Sequence, residues 1–165
     1  MERVQEAIRT ILQHRLPAEL AARENPPGLE PMRLPAPRRY LINFDEGFTV
    51  IAASDYPAVI ILPGSSIPVN GIAAGLAVDY VHEVAIVALV MERDIERLQR
   101  MRARYAEAIQ ACLLKHQKDP QPACNLLRFT IRAIRYDRSF RDDEKSPYRS
   151  SVWVIIEARE RVEYA

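Results

Sequence analysis

The feature that most constrains this chain is one long amphipathic run set between two strand-like segments. From about Arg93 to Gln117, the residues Ile95, Leu98, Met101, Tyr105, Ile109, Cys112 and Leu113 recur at spacings of three and four, so they line one face of a helix. At about 1.5 Å per residue this helix is roughly 37 Å long, enough to cross a whole sheet. Before it, Val81 to Met91 is rich in Val, Ile and Leu and reads as a strand. After it, from Leu126 to Tyr136, Leu127, Phe129, Ile131 and Ala133 alternate with Arg128, Thr130 and Arg132, as in a half-buried antiparallel strand. A helix between two strands must lay its apolar stripe on their sheet.

The flanking segments extend this plan. Val4, Ala7, Ile8, Ile11, Leu12 and Leu16 form a second helical stripe over residues 2–16, which Pro17 ends, or from which it opens a short second helix, Ala18 to Glu24. Prolines then keep 29–39 extended. Tyr40–Phe44 and Phe48–Ala52 flank Asp45-Glu46-Gly47 and suit a short hairpin. Ala58–Leu62 is short, apolar and β-branched, a buried strand. A polar loop, Asp137 to Tyr148, leads to a last strand over about Ser151 to Val162, in which Val152, Val154, Ile156 and Ala158 alternate with Trp153, Ile155, Glu157 and Arg159. The expected fold class is α+β: a two-layer sandwich of a mainly antiparallel sheet against the long helix 93–117, plus an N-terminal helix. One domain spans 1–165, with a helical segment over 1–24 and the sheet over 40–163. At 165 residues such a domain buries enough surface to fold without metal or disulfide.

The residues offer little chemistry. His14, His82 and His116 have no metal-ligand spacing with one another, with cysteine or with carboxylates, and structural or solvent roles are expected for them. Asp45-Glu46 and Asp142-Asp143-Glu144 are the acidic clusters. The first sits at a turn. The second lies among Arg138, Arg141, Lys145 and Arg149, which points to a solvated or intersubunit salt-bridge patch rather than a paired-carboxylate site. Pro63-Gly64-Ser65-Ser66 lacks the elements of a nucleophile elbow, and no phosphate-cradling glycine loop occurs. No catalytic, metal or cofactor-binding residue is therefore assigned, and no cofactor is expected. A net charge of +1, from 23 basic and 22 acidic residues, argues against a dedicated duplex-DNA binder. No apolar run is long enough to span a membrane, and the N-terminus does not read as a secretion signal.

The segment 63–79 reads as a long loop, yet it holds Ile67, Val69, Ile72, Leu76 and Val78. Apolar side chains in an irregular surface segment mark an interaction site, unless they fold over their own core or extend the flanking strands into a longer hairpin. A subunit interface is therefore expected at Ile67, Val69, Ile72 and Leu76, and at the charged loop around Arg138, Arg141, Asp142 and Asp143.

The order of these elements, with the segments YPAVIILPG (Tyr56–Gly64) and HEVAIVALV (His82–Val90), the long helix and the closing hairpin, resembles the tail-terminator or tail-completion proteins of long-tailed bacteriophages over about residues 1–163. The resemblance implies a virion protein assembled in the host cytoplasm. It would form a ring, typically hexameric, at the head-proximal end of the tail tube, with its own copies, the tube protein and a head-completion or adaptor protein as partners. DNA would pass through without being gripped, and no catalysis would be involved. The long 63–80 insertion and the Tyr40–Ala52 hairpin leave terminator, adaptor and head-closure positions open. The alternatives are another neck, baseplate-side or minor tail structural protein, or a small enzyme or ligand-binding module of the same fold class.

Overall fold

The computed structural model describes residues 1–42, 51–69, 77–118 and 126–163. The elements run α1 (Glu2–Ala21), β1 (Arg39–Ile42), a 3-10 turn (Ala53–Asp55), β2 (Ala58–Val69), β3 (Ala77–Glu92), α2 (Ile95–Lys118), β4 (Leu126–Tyr136) and β5 (Tyr148–Glu163). The five strands form one sheet in the order β1-β2-β3-β5-β4. Every neighbouring pair is antiparallel except β1 and β2, which run parallel. The fold is α+β, with both helices on one face of the sheet.

Periodicity explains the core. Val4, Ile8, Ile11, Leu12, Leu16 and Leu20 of α1 and Leu98, Met101, Tyr105, Ile109, Cys112 and Leu113 of α2 are all buried. They meet one face of the sheet, where Val59, Ile61, Val84, Ile86, Ala88, Val90, Val152, Val154, Ile156 and Ala158 alternate inward. Among the described residues the other face carries no α-helix. Its smaller cluster joins Ala58, Ile60, Val87 and Leu89 with Leu41, Ile51, Tyr56, Leu62 and Trp153.

Four expectations need correction. Pro17 neither ends α1 nor opens a second helix; α1 runs through it to Ala21. Pro17 and Gln13 both face solvent, so water reaches the Gln13 carbonyl freed by the missing N–H, while Leu16 and Leu20 anchor the helix on either side. Of the expected Tyr40–Ala52 hairpin, Tyr40–Ile42 pairs instead in parallel with β2, and Ile51 and Ala52 are not in a strand; residues 43–50, which hold its turn, lie outside the described residues. The 63–79 loop is, where described, a continuation of β2 to Val69 and of β3 from Ala77. Lastly, the alternation of β4 changes phase. A bulge between Ile131 and Ala133 sets Ile131 opposite Ile156 but Ala133 opposite Ile155, so Ile134 rather than Ala133 faces the core.

Two arginines of α2, Arg102 and Arg104, are buried. Arg104 is buried and donates to the carbonyls of Arg23, Glu24 and Glu30, the last at 2.7 Å. Tyr105 donates its hydroxyl to the Pro35 carbonyl. Together they strap the proline-rich connector along α2, burying Met32 and Leu34. Arg102 donates to Ser150 Oγ at 2.8 Å and to the Asp137 carbonyl, tying α2 to the start of β5.

Candidate functional site

β3 and β5 each have 16 residues and pair along their whole length. At roughly 3.3 Å per residue they span about 50 Å. α1 and α2 cover the inner face as far as Val84 and Ala158; β4 still pairs with β5 at Arg159 and Glu160, and beyond these the sheet continues as an arm of β2, β3 and β5.

The arm has the marks of an edge that has to be managed. β1 pairs with β2 only through Ile61, so among the described residues Leu62–Val69 has a partner on one side alone. Pro63 and Pro68 fall in this stretch, where an absent N–H is tolerated. The register shifts by a bulge between Pro63 and Ser66. Gly64 sits in that bulge so close to β3 that a Cβ would lie 2.9 Å from the Glu83 carbonyl oxygen. Ile67 is 59% exposed, and Val69 is half-buried. Of the four apolar interface candidates, therefore, Ile67 is uncovered and Val69 partly so; Ile72 and Leu76 lie outside the described residues. On the helix-free side, Asp79 accepts from Arg159 at 2.6 Å and Arg161 at 2.9 Å, which hold its carboxyl below the usual range.

At the base of the arm lies a buried polar relay absent from the sequence reading. His82 Nδ1 is 2.8 Å from Ser66 Oγ, and its Nε2 is 3.1 Å from Glu160 Oε2. His82 and Glu160 are buried, and Tyr80 stacks on the imidazole. A neutral imidazole that donates from Nε2 to Glu160 and accepts at Nδ1 from Ser66 satisfies all three groups. Burial chiefly, helped by the chain's α-amino charge, lowers the imidazole's proton affinity against the opposing pull of Glu160. The relay bridges β2, β3 and β5. Its members are 16 and 78 residues apart, and only the strand register brings them together.

At the opposite end of the same strands is a cleft of about 570 Å³, lined by Ile51, Tyr56, Leu89, Phe140, Asp137, Arg138, Asp142 and Arg149 with Ser150 and Ser151. It lies where the helix-free face meets the 137–148 loop. Phe140, 56% exposed, is held by a two-way backbone bridge to Arg149. Asp142 pairs with Arg149 at 3.1 Å. Asp137 accepts from the Trp153 indole at 2.8 Å and from the Ser151 hydroxyl. Of the charged interface candidates, Arg138 and Asp142 line the cleft, while Arg141 and Asp143 build the turn beside it. The Arg141 guanidinium lies 5.0 Å from the Tyr148 ring centre. Asp143 accepts from the backbone N–H groups of Ser146 and Lys145, which lower its carboxyl's affinity for protons. Phe140, Tyr56 and Leu89 escaped the sequence reading because a bridge and a pairing register assemble them.

Other residues of interest are structural. Cys112 is buried, and burial pushes its thiol up to about 12; Cys124 lies outside the described residues. His116 is buried with its ring edge against Phe129, and His14 is exposed on α1. Among the acidic clusters, Asp45-Glu46 lies outside the described residues. Among the described residues there is no group of three His, Cys, Asp or Glu able to hold a metal ion, and no helix is long and apolar enough to cross a membrane.

No protein-family model and no curated protein matches the chain. Among solved structures, a chain of "Virion of native gene transfer agent (GTA) particle" is similar at a TM-score of 0.45 and 15% identity, over 96% of this chain and 95% of that one.

Proposed function

We propose that this protein is a structural subunit of a phage-like tail, which forms a ring at the head-proximal end of the tail tube and presents a surface to head-completion proteins. In this reading it is not an enzyme and needs no cofactor. The observation that carries it is the placement of two unlike patches, an arm that exposes Ile67 and a cleft lined by charged side chains, at opposite ends of the 16-residue strands β3 and β5. A ring is built from heterologous contacts, each joining two different surfaces of neighbouring subunits, and an elongated subunit with a distinct patch at either end meets that requirement. The pattern of YPAVIILPG, HEVAIVALV and the closing hairpin, which resembles tail-terminator proteins, supports the same reading. The near-balanced charge suits a ring through which DNA passes without being gripped.

The test is to mix the purified protein with tail tubes of a long-tailed phage or prophage that encodes it, and to image the tube ends by negative stain. Ring-shaped caps on one end are expected. Bare tube ends, together with a protein that remains monomeric in light scattering, would overturn the proposal.

A further inference from the structure

We infer that Ser66 is an activated nucleophile, with His82 as its base and Glu160 behind the base, and that it takes an acyl group from activated aryl esters of short carboxylic acids. This goes beyond the ring reading and is independent of it: a single acylation requires no turnover, and it can occur on a structural subunit.

Three observations carry it. The first is the order of contact. Ser66 Oγ lies 2.8 Å from His82 Nδ1, and His82 Nε2 lies 3.1 Å from Glu160 Oε2. A hydroxyl set against a base that a carboxylate orients is the arrangement that turns serine into a nucleophile. Nδ1 faces the hydroxyl and Nε2 the carboxylate; either ring nitrogen can take the proton while the other donates. The second is exposure. Ser66 is exposed, whereas His82 is 3% and Glu160 7% exposed. The base and its carboxylate are shielded from water, and the hydroxyl they serve can be reached. Gly64 and Ser65, also exposed, are small enough to leave the approach open. The third is rigidity. The three side chains stand on three neighbouring strands, fixed by the pairs Ser66↔His82 and Tyr80↔Glu160, and the Tyr80 ring stacks on the imidazole at 5.9 Å between centres. The base is therefore in place before any ester arrives. Burial first, and the α-amino charge second, keep His82 unprotonated below the ordinary histidine range, so it can accept a proton at neutral pH.

The groups present complete the step. Ser66 Oγ attacks the ester carbonyl carbon as its proton passes to His82 Nδ1, and Glu160 stabilises the resulting imidazolium through the Nε2–H. The tetrahedral adduct collapses, its C–O bond to the aryloxide breaks, and the aryloxide takes the proton from Nδ1. The products are acyl-Ser66 and a phenol, and His82 is neutral again. An aryloxide leaves readily, so a nucleophile and its base suffice.

The test treats the full chain with para-nitrophenyl acetate and follows acetylation residue by residue through peptide mapping. Ser65, exposed next to Ser66, is the internal standard. In wild type Ser66 is expected to acetylate at least about 100-fold faster than Ser65, the least that a positioned general base contributes. This ratio needs no variant, so it is read whether or not a substitution disturbs folding. His82→Gln, checked first for wild-type circular dichroism, should bring Ser66 down to the Ser65 rate. In wild type the Ser66 rate should fall as pH drops through the lowered His82 value. Glu160→Gln keeps an acceptor for the Nε2–H but loses the charge that favours the imidazolium, so the midpoint of that fall should move to lower pH. A role in packing alone would move neither the ratio nor the midpoint. Equal acetylation of Ser65 and Ser66 in wild type, or a folded His82→Gln chain whose Ser66 reacts like wild type, overturns the inference. Neither result bears on whether the chain caps tube ends.

Discussion

Replacing Asp137 by alanine tests whether the cleft wall is built as described. The Asp137 carboxylate accepts the Trp153 indole N–H at 2.8 Å and the hydroxyl of the buried Ser151. Its backbone N–H donates to the Ser151 carbonyl at 3.1 Å, so the main chain stays tied when the side chain goes. Alanine therefore removes two charge-assisted hydrogen bonds and leaves the strand pairing intact. Hydrogen bonds to charged groups contribute about 1.5–3 kcal/mol each when buried, and solvent access to Asp137 brings the pair down to ~2 kcal/mol in total. For a domain of this size that lowers Tm by roughly 4–8 °C. Trp153 is the only tryptophan, so its emission reports this site alone. In the variant the indole N–H keeps only Ser151 Oγ, at 3.1 Å. The emission maximum should shift on substitution, and Asp137→Asn, which retains an acceptor oxygen, should fall between the two. An alanine variant with wild-type Tm and wild-type emission would refute the hydrogen-bonded wall and, with it, the shape assigned to the cleft.

Gly64→Ala forces a Cβ to within 2.9 Å of the Glu83 carbonyl, a backbone atom that cannot swing aside; the strain costs about 1–3 kcal/mol. It should speed amide hydrogen exchange in the arm and leave α2 unchanged, and equal exchange throughout would contradict the close approach. Pro17→Ala restores a backbone donor for the Gln13 carbonyl inside a continuous helix and should raise stability by about 1–2 kcal/mol, read as a higher denaturant midpoint at constant m; a lower midpoint would show that α1 breaks at Pro17 after all. His82 is held neutral in the folded chain by burial and by the α-amino charge, so the unfolded chain takes up the proton first as pH falls. The stability it contributes is complete above the ordinary histidine range and drains as pH drops through the lowered folded value. Melting between about pH 7 and pH 5 should fall more steeply for wild type than for His82→Gln; parallel curves would remove His82 from the account.

Much of the fold was legible because hydrophobic spacing reports directly on which face of an element is buried. The α2 stripe from Ile95 to Leu113 and the inward set Val152, Val154, Ile156 and Ala158 are both buried as their periods require. Spacing fails where the backbone departs from a regular period. Nothing in the side chains of β4 marks the extra residue at Arg132 that turns Ile134 inward. Propensity misled at 63–69, where Pro63, Gly64 and Pro68 read as loop residues yet stand in the outer part of β2, which among the described residues has a partner on one side only. The alternative of a longer hairpin was already implicit in Ile67, Val69 and Val78. The burial of Arg102 and Arg104 was not legible, because it depends on carbonyls brought in from residues far along the chain. The candidate site was legible in part. Exposed Ile67 and the charged loop were singled out from composition, whereas the cleft between Tyr56, Leu89 and Phe140 exists only through tertiary pairing.

The measurement closest to the central claim is native mass spectrometry of the full chain at rising concentration, with Ile67→Asp alongside. The account predicts that wild type populates a closed oligomer of one defined stoichiometry and that the arm variant stays at the mass of a single chain. A wild-type spectrum containing only single chains, or an arm variant that forms the same closed oligomer, would contradict it.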